Sequence, residues 1–193
     1  FVCIDTETTI VPFHMTPQLS TFQAYSGGEN VYYVRKSQIT SFLDIHAECF
    51  LIAHNMPFDA DVISKEVSDS SYMYRSYDAN LVRDTNVLYK LWHLAEVGFV
   101  PFKSNLKLLA KSFCGIELVK DEVRENFGQF INTEIEDIPQ EYLEYGAKDV
   151  IATYKLYFTL IGKIKEHDKM RTLLSHDIQV KGDLALLHIY KNG

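Results

Sequence analysis

Four carboxylates and one tyrosine, spread over about three quarters of the chain, are the residues best placed to do chemistry. Asp5 and Glu7 stand in Val2-Cys3-Ile4-Asp5-Thr6-Glu7-Thr8. Asp59 closes Ala53-His54-Asn55-Met56-Pro57-Phe58-Asp59. Tyr145 and Asp149 bracket Tyr145-Gly146-Ala147-Lys148-Asp149. Carboxylates gathered in one place repel one another unless cations join them, and hard oxygen donors select Mg²⁺ or Mn²⁺. Two such ions about 4 Å apart can activate a water and stabilise a leaving oxygen in an in-line displacement. A phenol beside that water can orient it. The chemistry open to this set is the cutting of a phosphodiester bond.

The elements that must position these groups are readable. Phe1-Val2-Cys3-Ile4 is an apolar run that predicts a central strand ending at the acidic pair. Side chains two apart on a strand share a face, so Asp5 and Glu7 can converge. Thr21 to Ser26 and Val31 to Val34 flank Gly27-Gly28-Glu29-Asn30, which predicts a hairpin. Ile39 to Ala47 has helical spacing, and Cys49 to Ala53 reads as a short buried strand. Pro57 favours the first turn of a helix running to about Val67, which places Asp59 in that first turn. Asp69 to Tyr77, polar and Ser/Tyr-rich, reads as a loop, and Leu81-Val82 as another strand. Asp84 or Thr85 caps a helix through about Leu94. Ser104 caps Asn105 to Cys114, which Gly115 stops. Glu117 to Glu136 reads as a short helix and loops. Asp137-Ile138-Pro139 starts a long helix on which Tyr145 and Asp149, four apart, share a face. A last helix covers about Lys169 to Tyr190. Early strands and late helices, with a strand–helix–strand unit between them, predict an α/β fold with a central mixed sheet covered by helices.

Each group also has an ordinary reading. Asp-x-Glu at a strand end is commonly a solvated loop start, and Asn55, Asp59 and Asp84 could cap helices. Tyr145 could be core, and Asp149 a surface acid beside Lys148 or Lys155. The conjunction of all of them, each where convergence is easy, outweighs these readings. The bulk numbers agree. A chain of 193 residues fits a single domain with a real core. A net charge of −7 argues against coating nucleic acid over a long footprint, but not against gripping a few nucleotides through metals. Cys3, Cys49 and Cys114 have no paired zinc spacing and read as core thiols of an intracellular protein. No apolar run reaches the length of a membrane span, and no signal peptide is evident. The chain starts at Phe1, inside an expected strand, which reads as a fragment of a longer protein.

The three motifs together resemble the DEDD superfamily of 3′–5′ exonucleases. Val2 to Thr8 is similar to its first motif, Ala53 to Asp59 to its second and Tyr145 to Asp149 to its third. Glu144 stands where the histidine form would carry His, so the resemblance is to the tyrosine (DEDDy) branch. Arg83-Asp84-Thr85-Asn86-Val87-Leu88, Ser104 to Lys111 and the ending Leu173 to Gly193 resemble the proofreading domain of family A DNA polymerases. The resemblance implies a ribonuclease-H-like fold. It implies that Asp5, Glu7 and Asp149 hold a first Mg²⁺ or Mn²⁺, that Asp5 and Asp59 serve a second, and that Tyr145 orients the attacking water. His54 and Asn55 would line the terminal nucleotide, with Thr6 and Phe58 beside them. Thr8 to Gln18 lacks the usual continuation of the first motif. The implied activity is release of nucleoside 5′-monophosphates from a single-stranded or frayed DNA 3′ end, with a polymerase domain following in the parent chain. The rivals are an RNA-trimming enzyme similar to RNase D and a catalytically silent scaffold.

Overall fold

The computed structural model describes residues 1–12, 15–69, 71–118, 123, 125–166 and 170–192. Its centre is β1 (Val2–Thr8), flanked on both sides by other strands. β1 pairs antiparallel with β2 (Leu19–Tyr25), which pairs antiparallel with the short β3 (Tyr32–Tyr33). On its other side β1 pairs parallel with β4 (Leu51–Ala53), and β4 parallel with β5 (Val82–Asp84). The order β3-β2-β1-β4-β5 makes the mixed sheet expected from the sequence.

Helices cover both faces: α1 (Ile39–Ile45), α2 (Met56–Glu66), α3 (Ser71–Asp78), α4 (Thr85–Val97), α5 (Leu106–Cys114), α6 (Gln140–Glu166) and α7 (Met170–Asn192). Strand alternation sorts β1 between two cores. Val2 and Ile4 pack with Met56, Ala60 and Ile63 of α2, Met73 and Tyr77 of α3, and Val180 and Leu184 of α7. Cys3 faces the other way, into a core with Leu88 of α4, Leu109 of α5 and Val150, Leu156 and Leu160 of α6. The same parity carries on to the polar end of the strand. Asp5 and Glu7 take the side of α6, and Thr6 takes the side of α2.

Several expectations need correction. The central strand does not end at the acids; it runs through them to Thr8, with a register shift between Glu7 and Thr8. Asp69 to Tyr77 is not a loop. Asp69 Oδ1 accepts from the Ser71 amide at 2.9 Å, and α3 buries Met73, Ser76 and Tyr77, an i, i+3, i+4 face hidden by polar composition. Cys49 lies outside the expected strand, just before β4; Cys3 is fully buried, while Cys49 and Cys114 are half-buried and pack against the edges of the two cores. α5 is capped by the Asn105 side chain, which accepts from Leu108 N at 2.9 Å, and not by Ser104. α6 starts at Gln140, after Pro139, and α4 continues to Val97, where Gly98 takes a left-handed φ of 91°. Much of the expected short helix within Glu117 to Glu136 lies outside the described residues; 3-10 turns occupy Phe127–Phe130 and Ile135–Asp137. Among the described residues, no helix is long and apolar enough to cross a membrane.

Candidate active site

Asp5 and Glu7, on one face of β1, meet Asp149 from α6. Each of the three offers an oxygen, and these atoms lie within 4.8 Å of one another. Like charges this close are held against strong repulsion, the arrangement a hard cation relieves. The three open onto a cavity of about 400 Å³. Tyr145, one turn before Asp149, lines the same cavity and is 9% exposed, its ring 5.8 Å from that of Phe127.

Asp59 reaches the cavity from the opposite side of β1. It is 3% exposed, and its Oδ1 accepts from the Thr6 amide at 3.0 Å and the Thr6 hydroxyl at 2.7 Å. This is the consequence of strand parity: Thr6 turns toward α2 while its neighbours turn toward α6. Burial pushes the Asp59 carboxyl up to about 7, with the Thr6 hydrogen bonds pulling the other way. His54, Asn55 and Phe58 complete the wall on the α2 side, so each residue singled out from the sequence borders this one cavity.

The structure adds residues that the motifs do not mark. Gln23 on β2 is fully buried and its Nε2 donates to Asp5 Oδ2 at 2.7 Å, which fixes the direction of that carboxylate. No sequence signal marks it: Gln23 alternates with Phe22 and Ala24, the pattern of an ordinary polar strand face. Gly146 is what lets Gln23 sit there. A Cβ at position 146 would lie 2.7 Å from Gln23 Nε2 and 3.2 Å from Tyr33 Oη. Gly146→Ala should therefore lower the cleavage rate about tenfold by turning Gln23 off Asp5, a loss on the scale of one charge-assisted hydrogen bond. The gain in helix propensity, about 1 kcal/mol, offsets part of the buried hydrogen bond lost at Gln23, so the melting temperature should move by only a few degrees. A rate equal to wild type would show that Gln23 does not position Asp5. Asn86, Asn105 and Leu106 also line the cavity, and Asn86 Oδ1 is buried without a hydrogen-bond partner among the described residues.

His54 is held as a neutral ring. Its Nε2 donates to the Ser104 carbonyl at 2.9 Å, and its Nδ1 lies 2.8 Å from the Thr85 hydroxyl. Burial lowers its pKa to about 4. The unfolded chain, with His near 6.5, then binds the proton that the folded chain refuses. The stabilising contribution is complete above about pH 6.5 and is lost as pH falls toward 4, on the order of 2–3 kcal/mol. Asp59, pushed up to about 7, titrates with the opposite sign in both proteins, so the difference carries the test: the urea-derived stability gap between wild type and His54→Gln should change along this slope between pH 7 and 4. An identical slope in the variant would remove His54 as its source.

Asp84, the last residue of β5, is fully enclosed and caps two helices at once. Its Oδ1 accepts from Asn86 N at 2.8 Å and Val87 N at 3.3 Å at the start of α4, and from Asn55 N at 3.1 Å. Its Oδ2 accepts from Met56 N at 2.8 Å at the start of α2. Asn55 adopts a left-handed φ of 73° to present its amide, a conformation that Asn tolerates. Burial pushes the Asp84 carboxyl upward and the amides pull it back. The Asp84 amide in turn donates to Nε2 of His176 on α7 at 3.0 Å.

A family model described as 3′–5′ exonuclease, DNA_pol_A_exo1, matches residues 1–165. The chain belongs to this 3′–5′ exonuclease family. Solved structures agree on the fold. Brucella melitensis NrnC superposes with a TM-score of 0.67 at 17% identity, covering 96% of this chain and 83% of that one. The EXO domain of Aedes aegypti Nibbler gives 0.65 at 14%, covering 95% and 85%. Escherichia coli RNase D, an exoribonuclease involved in structured RNA processing, gives 0.63 at 15%, covering 95% of this chain and 44% of its own length. The mixed sheet and its helices are the ribonuclease-H-like fold of such exonuclease domains. No curated relative matches the chain.

Proposed function

We propose that this domain hydrolyses the terminal phosphodiester bond at the 3′ end of single-stranded or frayed DNA, releasing nucleoside 5′-monophosphates one at a time. The observation that carries the reading is the convergence of Asp5, Glu7 and Asp149 within 4.8 Å in a cavity that Tyr145 also lines. The donor set fits hard divalent cations: all oxygens, all anionic, with Asp59 behind Thr6 at the second position. Asp5, Glu7 and Asp149 would hold one Mg²⁺ or Mn²⁺, and Asp5 with Asp59 a second. When bound, such a pair neutralises charge on the phosphate and lowers the pKa of the attacking water.

The chain's own groups do the rest. Tyr145 presents its hydroxyl to the nucleophile's position and orients it. Gln23 keeps Asp5 aimed, and Thr6 keeps Asp59 aimed. His54, held neutral, and Asn55 offer a polar wall for the terminal nucleotide, with Phe58 as its apolar neighbour. The family match, over residues 1–165, supports the DNA reading through its polymerase kinship. The RNA reading is favoured by the solved structures resembling this chain, which include RNase D and an NrnC bound to pGG. Digestion of 5′-labelled DNA and RNA of one sequence, with Mn²⁺ and with chelator, tests both. A metal-dependent ladder shortening from the 3′ end is expected, faster on DNA. A ladder faster on RNA assigns the trimming role instead, and none on either overturns the reading.

A further inference from the structure

The segment joining α4 to α5 differs in character from the rest of the molecule. From Lys90 to Lys111 there are four lysines and one glutamate, in a chain whose net charge is −7. Inside this basic stretch, large apolar side chains face solvent: Phe99 is 57% exposed, Val100 56% and Phe102 99%. Phe99 leans on the His93 ring, centroids 4.9 Å apart, and its carbonyl lies 2.9 Å from His93 Nδ1, so the loop is anchored at that point. Phe102 has no ring contact among the described residues, and Lys103 and Lys107, both exposed, have no ion pair among them.

This segment is fastened to the catalytic cavity. Two residues beyond Phe102, the Ser104 carbonyl holds His54 Nε2; Asn105 and Leu106 then form part of the cavity wall. Three residues of chain span at most about 11 Å, so the Cα of Phe102 lies within that distance of the Cα of Asn105. An aromatic ring kept out of the core, followed by two lysines with no ion pair among the described residues and tied to the rim of a nuclease cavity, matches a polyanion whose units carry flat π-faces. An acidic protein surface could also pair with the lysines; the tie of this segment to the cavity wall through Ser104, Asn105 and Leu106 favours the nucleic-acid strand.

We propose that Phe102 is a stacking platform for a base of the single strand upstream of the cleaved nucleotide, with Lys103 and Lys107 neutralising the adjacent phosphates. It rests on the exonuclease reading above and adds a subsite that the three motifs do not contain. Stacking on an aromatic ring is tolerant of sequence, since every base has a π-face. The subsite therefore selects for length and single-strandedness and not for base identity.

The test compares wild type with Phe102→Ala and Phe102→Trp on a dinucleotide and on a hexanucleotide of single-stranded DNA with the same 3′ end. Binding of a 5′-fluorescein hexanucleotide is followed in parallel by anisotropy in chelator. Phe102→Ala should raise KM and Kd for the hexanucleotide about 5- to 100-fold while leaving the dinucleotide KM and both kcat values within about twofold. Phe102→Trp should restore the hexanucleotide values. Unchanged hexanucleotide KM and Kd in Phe102→Ala overturn the platform, as does an equal loss on the dinucleotide or a wild type that fails to bind the hexanucleotide. If wild type binds but cleaves nothing, and binding still depends on Phe102, the platform stands and the proposed reaction falls.

Discussion

Asp149→Ala should lower exonuclease activity by about 10³-fold or more, because the lost ligand removes several kcal/mol of charge stabilisation at the reacting phosphate. The fold should survive. Asp149 is only half-buried, on the cavity-lining face of α6, and its removal deletes no core volume. The variant carries a second signature. In chelator, Asp5, Glu7 and Asp149 sit within 4.8 Å of one another and repel, so deleting one should leave the melting temperature unchanged or raise it. In Mn²⁺ the wild type should gain stability through ligand linkage, and the variant should lose most of that gain. Thermal melts with and without Mn²⁺, beside a rate on labelled DNA, check both halves. Activity within a few-fold of wild type would remove Asp149 from the site, and an unchanged Mn²⁺ response would remove it from the ion.

Asp84→Ala should be the most damaging single change to stability outside the apolar cores. Four backbone amides lose their acceptor together, at the first turns of α2 and α4. An orphaned buried donor costs about 1–3 kcal/mol and the costs do not add fully, so a loss of about 4–5 kcal/mol is expected. At about 2–4 °C per kcal/mol for a protein of this size, the melting temperature should fall by about 10–20 °C. Activity should fall too, since α2 carries Asp59. A drop of only a degree or two would mean that water replaces the carboxylate, and the double cap would then be ornamental to stability.

Much of this was legible in the sequence because local rules carried it. The acids of β1 sit two apart, and Tyr145 and Asp149 sit four apart on α6; periodicity alone makes each pair share a face. The mixed sheet followed from where apolar runs stop and turn residues begin. What escaped was set by tertiary contact. α3 hid behind the Ser/Tyr composition of Ser71–Asp78 because its buried face is narrow and partly polar. Gln23 gave no motif, since its role depends on the pairing of Asp5 with Gln23 across β1 and β2. Ser104, read as a cap, instead lends its carbonyl to His54, a partner 50 residues away. Asp84 was read as a cap, which it is, but no local rule shows that it caps a second helix 28 residues upstream.

The link from the Asp84 amide to His176 gives α7 a place in the site that its position in the sequence hides. α7 follows the stretch matched by the exonuclease family, yet His176 is wholly enclosed, and Val180 and Leu184 seal the core beneath α2. A protease cut or a cloning boundary placed near residue 166 would strip the imidazole from the strand end that orients both caps. Such a fragment would keep its three motifs and lose the brace that holds them in register. Grafts and chimeras built from this domain should therefore carry the chain through Leu184 at least.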